Sequence, residues 1–404
     1  MRGPVADTGG AYVATPPGYG PAVPDAALPD GVDGWCDAAF APVARVLAEQ
    51  LADGAHHGVA VAVRHRGAPV VDLWGGSFRR DTLAVSFSAT KGPVALAVHM
   101  ALERAGVAYD TPVAEVWPGF EQHGKAAVTI RHVLCHEAGI PQIRGEVPDV
   151  WAMADWDAMV ATVASLRPLW EPGTANGYHA LTWGWLAGEV LHRVDGRLPA
   201  RFLADEIAGP LGLDGCFLGT PAGEASRLAP VAWNPVYGDL TPLDQLLPAD
   251  SLTVRALAPA GDVVAFVNSE SGRAACVPAI TGAFTARSLA AVYAVLERGG
   301  TLDGVRLLSP ATVEAATTVQ NDRPDLVLFV PMHWRLGFMG IGLDGGAGPG
   351  SAFGHAGLGG SVGLVDPRTE LAVAVTLDRL ELDLLGDDRA RGLARAAAAA
   401  VDGR

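Results

Sequence analysis

The chain is 404 residues long, half of them apolar, and its 44 acidic against 29 basic residues leave a formal charge of −15. That much apolar sequence excludes an intrinsically disordered chain, and the acidic balance argues against the cationic face that nucleic-acid binding needs. The length suits one large domain or two closely joined ones.

Residues 1–31 mix Pro, Gly and Ala and read as a loosely ordered arm. They lack the charged and apolar regions of a secretory signal, which gives the expectation of a cytoplasmic protein. No run approaches the eighteen or so apolar residues of a membrane span. Residues 35–51 carry Phe40, Val43, Val46 and Leu47 at helical spacing and predict an opening helix. Two β-rich runs, 58–63 and 69–74, flank a turn at 64–68 and predict a hairpin. A helix is expected over 90–105, entered through Phe87-Ser88. Helical segments then dominate, at 156–165, 181–194, 199–207, 287–298 and 310–319. The stretch 235–261 has weak periodicity and reads as a flap or pocket wall. β character returns at 333–341, 360–365 and 370–377, before an alanine-rich helix at 389–401. The economical assembly is an α+β fold. An antiparallel sheet from residues 32–87 and 286–404, flanked by terminal helices, carries a mainly helical insertion at 88–285. The active site is expected at their junction.

The four cysteines, Cys36, Cys135, Cys216 and Cys276, are scattered and form no CxxC pair, so they read as buried apolar residues. The cations are more informative. Lys91 and Lys125 are the only lysines; every other basic residue is arginine. Ser88 and Lys91 stand three apart at a helix start. Twelve serines and two lysines give roughly 0.06 chance Ser-x-x-Lys matches in such a chain. A serine hydroxyl needs a base to become a nucleophile, and a buried lysine loses enough proton affinity to be one. On a helix the two side chains share a face, and the first-turn amides favour developing negative charge. The plain alternative is a capping serine with a first-turn lysine.

Other groupings carry less. Gly359-Gly360-Ser361-Val362-Gly363 fits G-x-S-x-G, but Ser361 is followed by a strand-like run rather than a helix. His132 and His136 have metal-ligand spacing without a third ligand, so no metal is expected. Lys125 lies in the polar run Gln122-His123-Gly124 and is expected to be solvated.

The segment Phe87-Ser88-Ala89-Thr90-Lys91-Gly92 resembles the active-site serine of the serine β-lactamase and penicillin-binding-protein superfamily. Several further runs resemble its class C-like esterase branch, the family VIII carboxylesterases. They are Asp72-Leu73-Trp74-Gly75-Gly76, Tyr109-Asp110-Thr111-Pro112-Val113, His132 to Gly139, Pro172-Gly173-Thr174, Leu308-Ser309-Pro310 and Gly354-His355-Ala356-Gly357. The resemblance implies a β-lactamase-like fold and an acyl-enzyme on Ser88. Lys91 and Tyr178 would move the proton. The backbone N–H groups of Ser88 and Leu358, the latter following Gly357, would form the oxyanion hole. Two departures stand out. Ala180 replaces the asparagine usual two residues after the tyrosine, leaving Asn176 as a substitute. His355-Ala356-Gly357 stands where β-lactamases carry Lys-Thr-Gly, and His355 is expected to meet Tyr178 or the substrate. Trp183, Trp233 and Trp334 are candidate acyl-pocket walls. The expected partner is a small-molecule acyl ester, with no cofactor, nucleic acid or membrane. An alcohol or amine acceptor would make the enzyme a transacylase instead. A β-lactamase, a D-Ala peptidase and a non-catalytic binding protein rank lower.

Overall fold

The computed structural model describes residues 28–237, 247–343, 352–382 and 387–403. Most of the proposed arm and the centre of the 235–261 stretch therefore lie outside the described residues. Seven strands make one antiparallel sheet: β1 (Val32–Cys36), β2 (Gly58–His65), β3 (Ala68–Gly76), β4 (Met339–Gly340), β5 (Phe353–Ala356), β6 (Val362–Asp366) and β7 (Leu371–Leu377). Their order is β1-β3-β2-β7-β6-β5-β4, so the two ends of the chain meet at the central β2/β7 pair. The β2–β3 turn is only Arg66-Gly67, both at positive φ (53° and 78°), as a two-residue hairpin of primed type requires.

Five helices frame the sheet and site: α1 (Ala41–Ala52), α2 (Lys91–Ala105), α3 (Thr182–Asp195), α4 (Ala286–Glu297) and α5 (Asp388–Asp402). The central strands alternate large and small residues, and this sorts the two faces. Val59, Val61 and Val63 of β2, with Val373 and Val375 of β7, pack against Val43 and Leu47 of α1 and Leu393 of α5. Ala60, Ala62, Ala372 and Ala374 face the opposite way, into the cluster that holds Leu289 and Val292 of α4. The small side lets α4 come close. A Cβ on Gly363 would lie 2.1 Å from the Tyr293 ring, and one on Gly92 would lie 1.9 Å from its hydroxyl. Tyr293 thus wedges the first turn of α2 against the sheet.

Two sequence expectations change. Residues 32–36 are an edge strand and the helix begins only at Ala41, because Gly34 (φ 112°) and the Asp37 cap break helical continuity. Within 333–341 only Met339–Gly340 is strand, since the preceding residues are spent on loop contacts made by Trp334 and Arg335. Among the described residues no helix is long and apolar enough to cross a membrane.

Candidate active site

A short sheet outside the main one delivers Ser88. Ala84–Val85 pairs with Gly282–Phe284, and Ser86 N–H continues the ladder to Gly282 O. The chain then turns through Phe87 at φ 43°, an uncommon conformation for a bulky residue and a local store of strain. A 3-10 turn (Phe87–Thr90) leads directly into α2 at Lys91. Thr90 locks this turn by accepting from Gly282 N–H at 3.0 Å. From the other side the end of β5 presses in. A Cβ at Gly357 would sit 2.2 Å from Ser86 O, so only glycine fits there.

Ser88 is partly exposed, while Lys91 is wholly buried. The Lys91 Nζ lies 2.9 Å from Ser88 Oγ, 3.1 Å from the Tyr178 hydroxyl and 3.4 Å from Ala279 O. The triangle closes where the Tyr178 hydroxyl donates to Ser88 Oγ at 2.8 Å. Among the described residues no carboxylate pairs with Lys91, and burial holds its pKa well below the usual lysine value. Burial pushes the Tyr178 phenol the other way, upward, with a smaller contribution from Asp325. Burial thus favours the neutral form of both groups, and opposed shifts of this kind cluster at functional sites.

The Tyr178 loop has its own support. Three successive amides are taken: Gly177 N–H by His136 O, Tyr178 N–H by Asp325 Oδ1, and His179 N–H by His136 Nδ1, each at 3.0 Å. His136 itself adopts φ 61°. The Trp334 ring stacks on Tyr178 at 5.5 Å and donates its indole N–H to Asp325 at 3.0 Å. Sequence reading found neither Asp325 nor this use of His136. Asp325 stands in no motif, and its partners lie up to 149 residues away in sequence.

The remaining candidates fall as follows. His355 is buried 5.9 Å from the Tyr178 ring. Its Nδ1 meets Ala356 O at 2.9 Å, so that nitrogen carries the proton and Nε2 is left as a buried acceptor without a partner among the described residues. Burial, then the neighbouring Lys91, pushes its pKa down to about 3. Gly357 N–H donates to Ser361 O, and Leu358 beside it is half-buried. Asn176 turns its amide to Asp325. Trp334 and Trp183 are fully buried and Trp233 is half-buried. Ser361 is buried and precedes β6. His132 completes a capping box with Thr129, and among the described residues no cluster of three or more acidic, His or Cys side chains is placed to hold a metal. All four cysteines are free thiols.

Lys125 corrects its expectation. It is buried, donates to Gln122 O at 2.9 Å and Leu166 O at 2.7 Å, and lies over the Phe120 ring. The local run is polar, but the side chain turns inward to a carbonyl 41 residues on.

A second Ser/His/Asp grouping lies away from this site. Ser77 Oγ and Asp378 Oδ2 both approach His57 Nδ1, at 3.3 and 2.7 Å, and the Ser77 hydroxyl donates to Asp378. A relay needs serine and carboxylate on opposite ring nitrogens. Here both crowd one nitrogen, so this cluster does not activate Ser77.

A buried amine joining a serine to a tyrosine thus sits beside an antiparallel sheet flanked by helices, in a fold of β-lactamase type. The chain belongs to the Beta-lactamase family, whose profile matches residues 43–398. It is 36% identical over 377 residues to Esterase/beta-lactamase LipL of Mycobacterium tuberculosis, covering 89% of this chain and 86% of that protein. Among solved structures it resembles a penicillin-binding-protein homolog from Caulobacter crescentus (TM-score 0.79, 36% identity, 91% of this chain and 99% of that one). It also resembles a family VIII carboxylesterase (TM-score 0.80, 33% identity, 91% and 99%). These relatives place the chain among the esterase/β-lactamase-type hydrolases.

Proposed function

We propose that the protein is a serine esterase that cleaves small carboxylic esters through an acyl-enzyme on Ser88. The observation that carries this reading is the Lys91 amine, buried without a carboxylate between Ser88 Oγ and the Tyr178 hydroxyl. With the amine neutral, the contacts close into a proton ring. Ser88 O–H donates to Nζ, Nζ donates to Tyr178 and Ala279 O, and Tyr178 donates back to Ser88. Attack of Oγ on the ester carbonyl sends the serine proton to Lys91. The alkoxide leaving group takes a proton from Tyr178, which Lys91 restores. Water reverses the sequence and releases the acid. The N–H groups of Ser88 and Leu358 receive the oxyanion, typically the largest single contribution in acyl transfer.

A lactam or peptide is the poorer substrate. Such substrates carry a carboxylate, and the position where β-lactamases carry the lysine of Lys-Thr-Gly holds a neutral His355. Ala180 also leaves no amide beside Tyr178. Intact-mass analysis with p-nitrophenyl esters tests the reading: an acyl adduct should form on the protein and vanish in Ser88→Ala. Turnover surviving in Ser88→Ala would overturn it. Nitrocefin turnover at ester-like rates would overturn the substrate preference, and diversion of the acyl group to an added alcohol would reassign the enzyme as a transacylase.

A further inference from the structure

We propose that Asp325 is a positioning residue for acyl transfer, acting through Tyr178; this rests on the reading that Tyr178 carries the proton to the leaving group. Asp325 is buried, and among the described residues no cation pairs with it. The nearby Arg323 is committed to Glu137. A carboxylate in that setting is costly unless hydrogen bonds replace its water. Five do. Oδ1 accepts from the amides of Tyr178, Val327 and Leu328, at 3.0, 2.9 and 3.0 Å. Oδ2 accepts from Trp334 Nε1 at 3.0 Å and Asn176 Nδ2 at 3.3 Å.

The five donors divide by purpose. The Val327 and Leu328 amides fold the loop around Asp325 itself, helped by Phe329 N–H to Asp325 O. The other three all belong to the surroundings of one phenol. The Tyr178 amide fixes its backbone, Asn176 fixes the chain two residues before it, and Trp334 carries the ring stacked on its face. The same carboxylate therefore sets both the root and the flank of Tyr178, while the hydroxyl at the far end must hold 2.8 Å to Ser88 and 3.1 Å to Lys91. Asparagine in place of Asp325 keeps the size but brings an NH2 against donors. Asn176 can answer by turning its amide, because its own Oδ1 has no partner among the described residues. Trp334 N–H cannot.

Steady-state and single-turnover kinetics on a p-nitrophenyl ester test this, with thermal melts as folding controls. Asp325→Asn should lower the acylation rate about tenfold at nearly constant KM, the signature of a displaced catalytic group rather than a lost binding contact. Trp334→Phe keeps an aromatic ring beside Tyr178 but deletes the indole donor together with one ring's volume, and in a variant whose melt shows an intact fold should give a smaller loss of about threefold. Tyr178→Phe separates this inference from the reading it rests on. If Tyr178→Phe stays active, the assignment of Tyr178 fails. If Tyr178→Phe is inactive while Trp334→Phe and any folded Asp325→Asn acylate at the parental rate, Asp325 does no positioning. Should Asp325→Asn not fold, Trp334→Phe alone decides: parental acylation overturns the inference and a selective fall in acylation rate supports it.

Discussion

The Arg389 guanidinium donates to the carbonyl of Gly359 at 2.6 Å, one residue beyond Leu358. Arg389 also reaches Ala55 O and Arg379 O, and Asp387 holds it from behind. The first turn of the C-terminal helix is thereby bolted to the 357–361 loop, from which an oxyanion donor is proposed to come. Arg389→Ala should lower kcat about tenfold with little change in KM, a fraction of what losing one oxyanion donor costs. Steady-state kinetics on a p-nitrophenyl ester checks it, and equal losses in kcat and 1/KM would point to a general loosening instead.

Lys91→Arg puts a permanent guanidinium cation where burial favours a neutral amine and so removes the base, since guanidinium does not deprotonate in proteins. Ester turnover should fall at least about a thousandfold while an ordered fold persists in circular dichroism. The parent's pH profile should agree. Burial lowers the Lys91 pKa, so the neutral, competent amine appears as pH rises and the acid limb lies well below the ordinary lysine value. Tyr178 is shifted upward and keeps its proton across the plateau.

Acid should unfold the protein early. His56, His179 and His355 are pushed down to about 3, and His99 to about 4, burial being the first cause in each. Below the ordinary value of 6.5 the unfolded chain binds protons that the folded chain refuses. Stability is thus whole above that value and is lost as pH falls toward the folded values. Each fully buried ring contributes a slope of up to about 1.4 kcal/mol per pH unit. Urea midpoints measured at about pH 7 and about pH 5 should differ clearly; equal midpoints would mean the rings protonate in place.

Lys125→Met preserves length and apolar contact but orphans Gln122 O and Leu166 O. The expected cost is about 1–3 kcal/mol of unfolding free energy. The kinetic constants should not move, because Lys125 contacts no residue of the Ser88 site among the described residues. A change in kcat without a change in the urea midpoint would contradict this division of labour.

What could be read from the sequence follows the range of the interactions involved. Ser88 and Lys91 were legible because they share one helical turn, and the rarity of lysine sharpened the match. The alternation of valine and alanine in β2 and β7 likewise announces two faces of different depth. Asp325 was illegible because its meaning lies in the amide of Tyr178 and the indole of Trp334, brought to it only by the folded loop. Lys125 was misread for the same reason: Leu166 O is far along the chain. The last two residues of the edge strand Val32–Cys36 were absorbed into the expected helix because Trp35 and Cys36 continue an apolar pattern. Only the pairing with β3, residue by residue from Val32 opposite Gly75 to Cys36 opposite Val71, settles its form.

Both lysines are buried, so the folded molecule offers no lysine amine to solvent. Enzymes or reagents that modify lysines would find no side-chain target on this surface, where arginine supplies every solvent-facing permanent cation of the side chains. Amine-selective acylating reagents therefore become reporters: adduct at Lys125 would register opening of the Phe120–Leu166 region, and adduct at Lys91 would register opening of the site itself.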